Sequence, residues 1–142
     1  NTVRKKIETP EEAAEIWVKR FEELLKKDLP WGKIGIAHLT CGHIFKGRTP
    51  EVIRLISDEV LYKLFEDCSK KGLGIELNMK TISLCDEDKG ILLRPYKIAK
   101  GCGCKFYLGS DSHKTTALID VKENFEDIIT SLDLKETDKF RL

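Results

Sequence analysis

Residues 72–78 read Gly72-Leu73-Gly74-Ile75-Glu76-Leu77-Asn78, and what they form decides the fold. Leu73 to Leu77 is a short, mainly apolar run ending at Asn78, and Gly72 in front of it is the kind of residue that closes a helix. Behind Gly72, the residues Val52, Ile53, Ile56, Val60, Leu64, Phe65 and Cys68 recur at helical spacing after the start signal Thr49-Pro50. The spacing predicts one helix from Thr49 to Gly72 and then a buried strand.

The same succession recurs on both sides. Upstream, Thr9-Pro10-Glu11-Glu12 combines a capping Thr, Pro at the first helical position and Glu three residues after the cap. Ala14, Trp17, Phe21, Leu24 and Leu25 then mark an inward face until Asp28-Leu29-Pro30, and Ile34 to Ala37 reads as a strand with His38 at its carboxyl end. Downstream, Arg94-Pro95 is expected to open a short helix through Lys100, and Phe106, Tyr107 and Leu108 to form a third strand. Asp120 with Glu123 is a candidate cap for a last helix carrying Val121, Phe125, Ile128, Ile129 and Leu132. The order αβαβαβα calls for an α/β fold, a parallel sheet covered by helices, with ligands bound beyond the carboxyl ends of the strands. Three strands are too few to close a barrel, so the sheet is open or is part of something larger.

The chain has 142 residues, enough for a single domain, and 25 Lys plus Arg against 24 Asp plus Glu leave a net charge of +1. That balance gives no general reason to expect nucleic acid or a membrane surface. No apolar run approaches the roughly 20 residues of a bilayer span. The five cysteines are odd in number and include Cys102-x-Cys104, too close for an ordinary bridge, so a reducing, cytoplasmic compartment is expected. Asn1 in place of Met leads to the expectation of a processed product or a piece of a longer protein.

Two histidines fall at expected strand ends, His38 and His113. In extended chain, residues i and i+2 point the same way, so Asp111 and His113 can offer a carboxylate oxygen and an imidazole nitrogen to one pocket. Such donors suit Zn, Mn or Fe, although Ser110, Asp111 or Ser112 could equally cap a helix.

The whole string Tyr107-Leu108-Gly109-Ser110-Asp111-Ser112-His113-Lys114 closely resembles the last metal-binding motif of the PHP superfamily, the histidinol-phosphatase-like metallophosphoesterases. Gly35-Ile36-Ala37-His38 resembles that family's strand ending in a metal-binding His, with Leu39 where the family has Pro. Gly74-Ile75-Glu76-Leu77-Asn78 resembles its Leu-Glu-Ile-Asn strand, and Asn124-Phe125 its carboxyl-terminal helix. The resemblance spans residues 33–133.

It implies a metal-dependent phosphoesterase acting on a small-molecule phosphate ester, on a distorted (β/α)7, TIM-like barrel. It makes His38, Asp111 and His113 metal ligands and places Glu76, Asn78 and Lys114 along the site. The family opens with an H-x-H pair on its first strand, and this chain has none, its histidines being 38, 43 and 113. The missing motif and the missing strands belong to the same amino-terminal half. The chain is thus expected to be the carboxyl-terminal half of such a domain. The other reading is a degenerate, non-catalytic half-barrel that associates with itself or a partner, since barrel-facing Ile34, Ile36, Ile75 and Leu77 would otherwise meet water.

A second constellation, His38-x-x-Cys41-x-His43 with Cys102-x-Cys104, could in principle hold a structural zinc, though its spacing matches no common module. Cys68 and Cys85 read as core and loop, and Trp17 and Trp31 as packing residues. Arg94 and Lys46, like Lys114, are basic residues in reach of expected strand ends, where a phosphate could be neutralised.

Overall fold

Thr9 caps the first helix as its chemistry requires: its hydroxyl oxygen accepts the Glu12 amide at 3.2 Å, and Pro10 opens α1 (Pro10–Leu25). The computed structural model describes residues 7–40, 45, 47–78 and 86–141. The buried face of α1 carries Ala13, Ala14, Trp17, Phe21 and Leu25. Trp17 and Phe21 meet edge-to-face at 5.2 Å, and Phe21 continues the stack onto Phe65 at 5.6 Å. The Trp17 Nε1–H donates to the Leu39 carbonyl at 3.0 Å, which binds the helix to the chain just past the first strand, β1 (Gly35–Ile36). Trp31, half-buried, lies under the Lys71 ammonium at 4.9 Å.

The single helix expected from Thr49 to Gly72 is two, α2 (Thr49–Leu55) and α3 (Asp58–Lys71). Ile56 between them is extended, and Ser57 caps α3 by accepting the Val60 amide at 3.3 Å. Ser57-Asp58-Glu59 is itself a start signal, a capping hydroxyl followed by acids in the first turn, hidden because apolar spacing runs through the break. Arg94 holds the junction: its Nη1 pairs with Asp58 at 2.7 Å, and its Nη2 donates to the carbonyls of Ile53 and Ile56. Arg94 therefore serves the loose end of α2 instead of a phosphate. Thr49 is the first residue of α2 and makes no cap; Arg48 precedes it and pairs with Glu51, Nε to Oε1, at 2.8 Å. Gly72 closes α3 in the left-handed conformation, φ 72°, as expected.

Helix α4 (Asp86–Gly101) begins well before Arg94, so Pro95 lies inside it, buried, in place of at its start. Helix α5 (Val121–Ser131) does follow Asp120, but that residue's backbone, φ −103° and ψ 18°, is not extended, and its side chain makes no cap bond. Strand β2 (Gly74–Asn78) lies between β1 and β3 (Lys105–Gly109), all parallel, with Gly35 opposite Gly74 and Gly74 opposite Lys105. Past α5, Lys139 bridges Phe106 in parallel, and the Phe140 amide donates to the Phe106 carbonyl at 2.7 Å, so the tail starts a further rung on the β3 edge.

The strands are parallel and follow one another in sequence order, an arrangement in which crossovers of one hand place their helices on one face. Ile75, Leu77 and Phe106 point to that face and are buried in the common core with α1, α3, α4 and α5. This corrects the expectation that Ile75 and Leu77 face a barrel interior; Ile34 and Ile36 are half-buried. The period-2 pleat sends Gly74, Glu76 and Asn78 to the opposite face instead. No helix among the described residues is long and apolar enough to cross a membrane.

Candidate functional site

The face away from the helices is graded from apolar to polar along the strand direction. At its amino-terminal end Phe140 packs on Gly74 and Tyr107 lies against Gly35, their rings 6.1 Å apart. At its carboxyl end, Glu76 and Asn78 are buried, at 8% and 0% exposure. Burial, and then the charge of Glu76, raise the Tyr107 phenol above its ordinary pKa, so it remains a neutral donor.

Glu76 takes the backbone amide of His38 on Oε2 at 2.7 Å and the Asn78 Nδ2 on the same oxygen at 3.2 Å. Asn78 Nδ2 also stands 3.4 Å from His38 Nδ1. Because a carboxylate only accepts, Nδ2 is the donor there, and the ring nitrogen facing it is an acceptor; the imidazole then carries its proton on Nε2. Metal ligation through Nε2 goes with the opposite tautomer, in which Asn78 presents its carbonyl oxygen. His38, Glu76 and Asn78 thus form one hydrogen-bonded group across the ends of β1 and β2.

Asp111 and His113 meet beyond β3. Asp111 Oδ1 lies 3.4 Å from His113 Nε2, the carboxylate 19% and the imidazole 80% exposed. Lys114 follows, exposed, at the entry to a short 3-10 turn, Thr115–Leu118. Asp111 and His38 share a rarer property: with Asp133 they are the non-glycine residues at positive φ among those described, 57° for His38 and 48° for Asp111. Asp133 is explained by the turn closing α5, where the Leu134 amide returns to the Ile129 carbonyl at 3.0 Å. His38 and Asp111 close no helix; each lies two residues past the end of a strand that flanks β2.

Two observations bear on a metal ion. Donors about 2.1 Å from one tetrahedral ion stand roughly 3.4 Å apart, so the Asp111–His113 separation fits two positions of such a site. The hydroxyl of Ser112, between them in sequence, is buried with no hydrogen-bond partner among the described residues. Among the described residues no group of three His, Cys, Asp or Glu side chains comes together to hold a metal. Asp111 and His113 together supply two donors, fewer than the three or four of a metal site.

The cysteine constellation is divided. Cys41 and His43, with Lys46 and Cys85, lie outside the described residues. Cys104 is buried and its Sγ faces the Phe65 carbonyl at 3.3 Å; burial pushes its thiol up to about 12, as expected of a cysteine packed in the core. Cys68 is core, its thiol also raised by burial, and Cys102 is partly exposed. No family model matches the chain, and no curated protein and no solved structure matches it either.

Proposed function

We propose that the chain is the carboxyl-terminal half of a metal-dependent phosphoesterase domain of the PHP type, built as part of a distorted (β/α)7 barrel. The observation that carries this reading is the pair of left-handed residues, His38 and Asp111, each two residues beyond the carboxyl end of β1 or β3. Such backbone costs roughly 1 kcal/mol or more per residue and concentrates at functional sites. Strands in sequence order with their helices on one face, and a polar group at the carboxyl ends, support the barrel part of it.

In this reading Asp111, His113 and His38 hold divalent metal, Zn, Mn or Fe, together with donors from the amino-terminal half. The bound metal supplies a water of lowered pKa and neutralises charge on the phosphoryl oxygens. Lys114, exposed beside His113, meets the phosphate of a small-molecule ester, and Glu76 and Asn78 orient the His38 segment. The test is hydrolysis of an aryl phosphate with Mn or Zn. The 142-residue chain alone is expected to show little activity, and the chain joined to its amino-terminal half to be active. In the longer protein His38→Ala, Asp111→Ala and His113→Ala should each lower kcat by orders of magnitude. Inactivity of the metal-loaded longer protein across varied phosphate esters overturns the assignment.

A second reading, a non-catalytic half-barrel that binds a partner or a second copy, draws on the absence of a three-donor group among the described residues. Inactivity in the same assay favours it.

A further inference from the structure

We propose that Glu76 is the positioning residue of this site, one carboxylate that sets the ends of all three strands and through them the His38 and Asp111–His113 groups. The inference rests on the functional reading above for the ligand roles alone; the positioning itself is a claim about this chain.

The ladder between β1 and β2 stops at the Ile36–Ile75 pair, two residues short of His38. Glu76 carries the connection onward, since its Oε2 accepts the His38 amide at 2.7 Å. On the other side Gly109, paired with Asn78, closes β3 two residues before Asp111. A Cβ at 109 would overlap Glu76 Oε1 and lie 2.6 Å from Cδ, so the carboxylate occupies the space that only glycine leaves. The same group therefore grips the end of β1 by a short hydrogen bond and seats against the end of β3 by contact.

An apolar residue would fill this buried position with no cost of desolvating a charge. The carboxylate here accepts the amide of His38, whose backbone is left-handed at φ 57°. Both donors, the His38 amide and Asn78 Nδ2, converge on Oε2. A glutamine with its oxygen at that position satisfies the same two donors, so the role is geometric and does not depend on the negative charge.

The experiment compares the full 142-residue chain with Glu76→Leu, Glu76→Gln, Gly109→Ala and the double variant Glu76→Leu/Gly109→Ala. Two readouts are taken: hydrogen exchange of the His38 amide, and Zn or Mn titration of the chelator-treated protein. Glu76→Leu should speed His38 exchange about tenfold or more, Gly109→Ala should do the same by displacing an intact carboxylate, and Glu76→Gln should restore protection. The double variant should lose no more than either single one, because both act on one contact. Metal affinity should fall about tenfold in parallel. Unchanged His38 protection in Gly109→Ala, additive losses in the double variant, or no rescue by Glu76→Gln overturns the proposal. Gly109→Ala and Glu76→Gln decide it even if Glu76→Leu does not fold. If the parent chain binds no measurable metal, the exchange pattern alone decides the positioning role, and the metal reading stands or falls on the phosphatase assay of the longer protein.

Discussion

Asp111 spends conformational energy at a position where nothing in the secondary structure requires it. Its φ of 48° is a conformation glycine adopts without the Cβ penalty. Asp111→Gly should therefore be more stable than Asp111→Ala by about 1 kcal/mol in urea denaturation, although both lose the carboxylate. Equal stability of the two variants would show that the left-handed backbone is not strained. The site residues were partly legible at this scale. The string around Asp111 and His113 was read as extended chain, in which alternate residues point the same way; the structure instead brings the two side chains to 3.4 Å through a left-handed Asp111 beyond the end of β3. The Glu76 to His38 amide bond was not legible, because a contact between residues so far apart in sequence leaves no spacing to read.

At the scale of elements, the sequence marks starts better than interruptions. Thr9-Pro10 and Gly72 act as capping chemistry requires, because each works through its immediate neighbours. The break at Ile56 and the early start of α4 escaped, since apolar periodicity continues through the first and Pro95 is tolerated within the second. Arg94 links the two errors: from inside α4 it satisfies the Ile53 and Ile56 carbonyls left by the end of α2 and pairs with Asp58 at the start of α3. Replacing it by Lys, which keeps the charge but not the planar set of donors, should cost about 2 kcal/mol in denaturant unfolding. A loss near zero would show that Arg94 is only a solvated surface charge.

For the molecule as a whole, a single core lies between one face of the sheet and its helices, and the buried thiols make its stability depend on pH. The Cys104 thiol rises from an ordinary 9.0 to about 12 by burial, and Cys68 moves the same way. Between those values the unfolded chain has lost a proton that the folded chain keeps, so the unfolded state binds fewer protons and stability falls as pH rises. The contribution is intact below about pH 9 and is lost progressively toward about pH 12. Urea midpoints should thus decrease from about pH 8 to about pH 10.5, and Cys104→Ala should flatten the decrease. An unchanged slope in that variant would assign alkaline sensitivity to other groups.

Local chemistry alone determined that this chain alternates helices with short apolar strands and makes a parallel sheet, because caps, apolar spacing and strand runs act over a few residues. It also singled out His38, Asp111 and His113 by their places after strands. The parity of the sheet was decided by tertiary structure. A pleat repeats every two residues, and an apolar run such as Leu73 to Leu77 does not say which alternate set faces the helices. Ile75 and Leu77 went to the core, which took two of the four residues expected to face a barrel interior out of contact with water and turned Glu76 and Asn78 toward His38. That choice was made by what packs on each face: helices bury the branched side chains, while Gly35, Gly74 and Gly109 leave room on the other face for Tyr107, Phe140 and the Glu76 carboxylate.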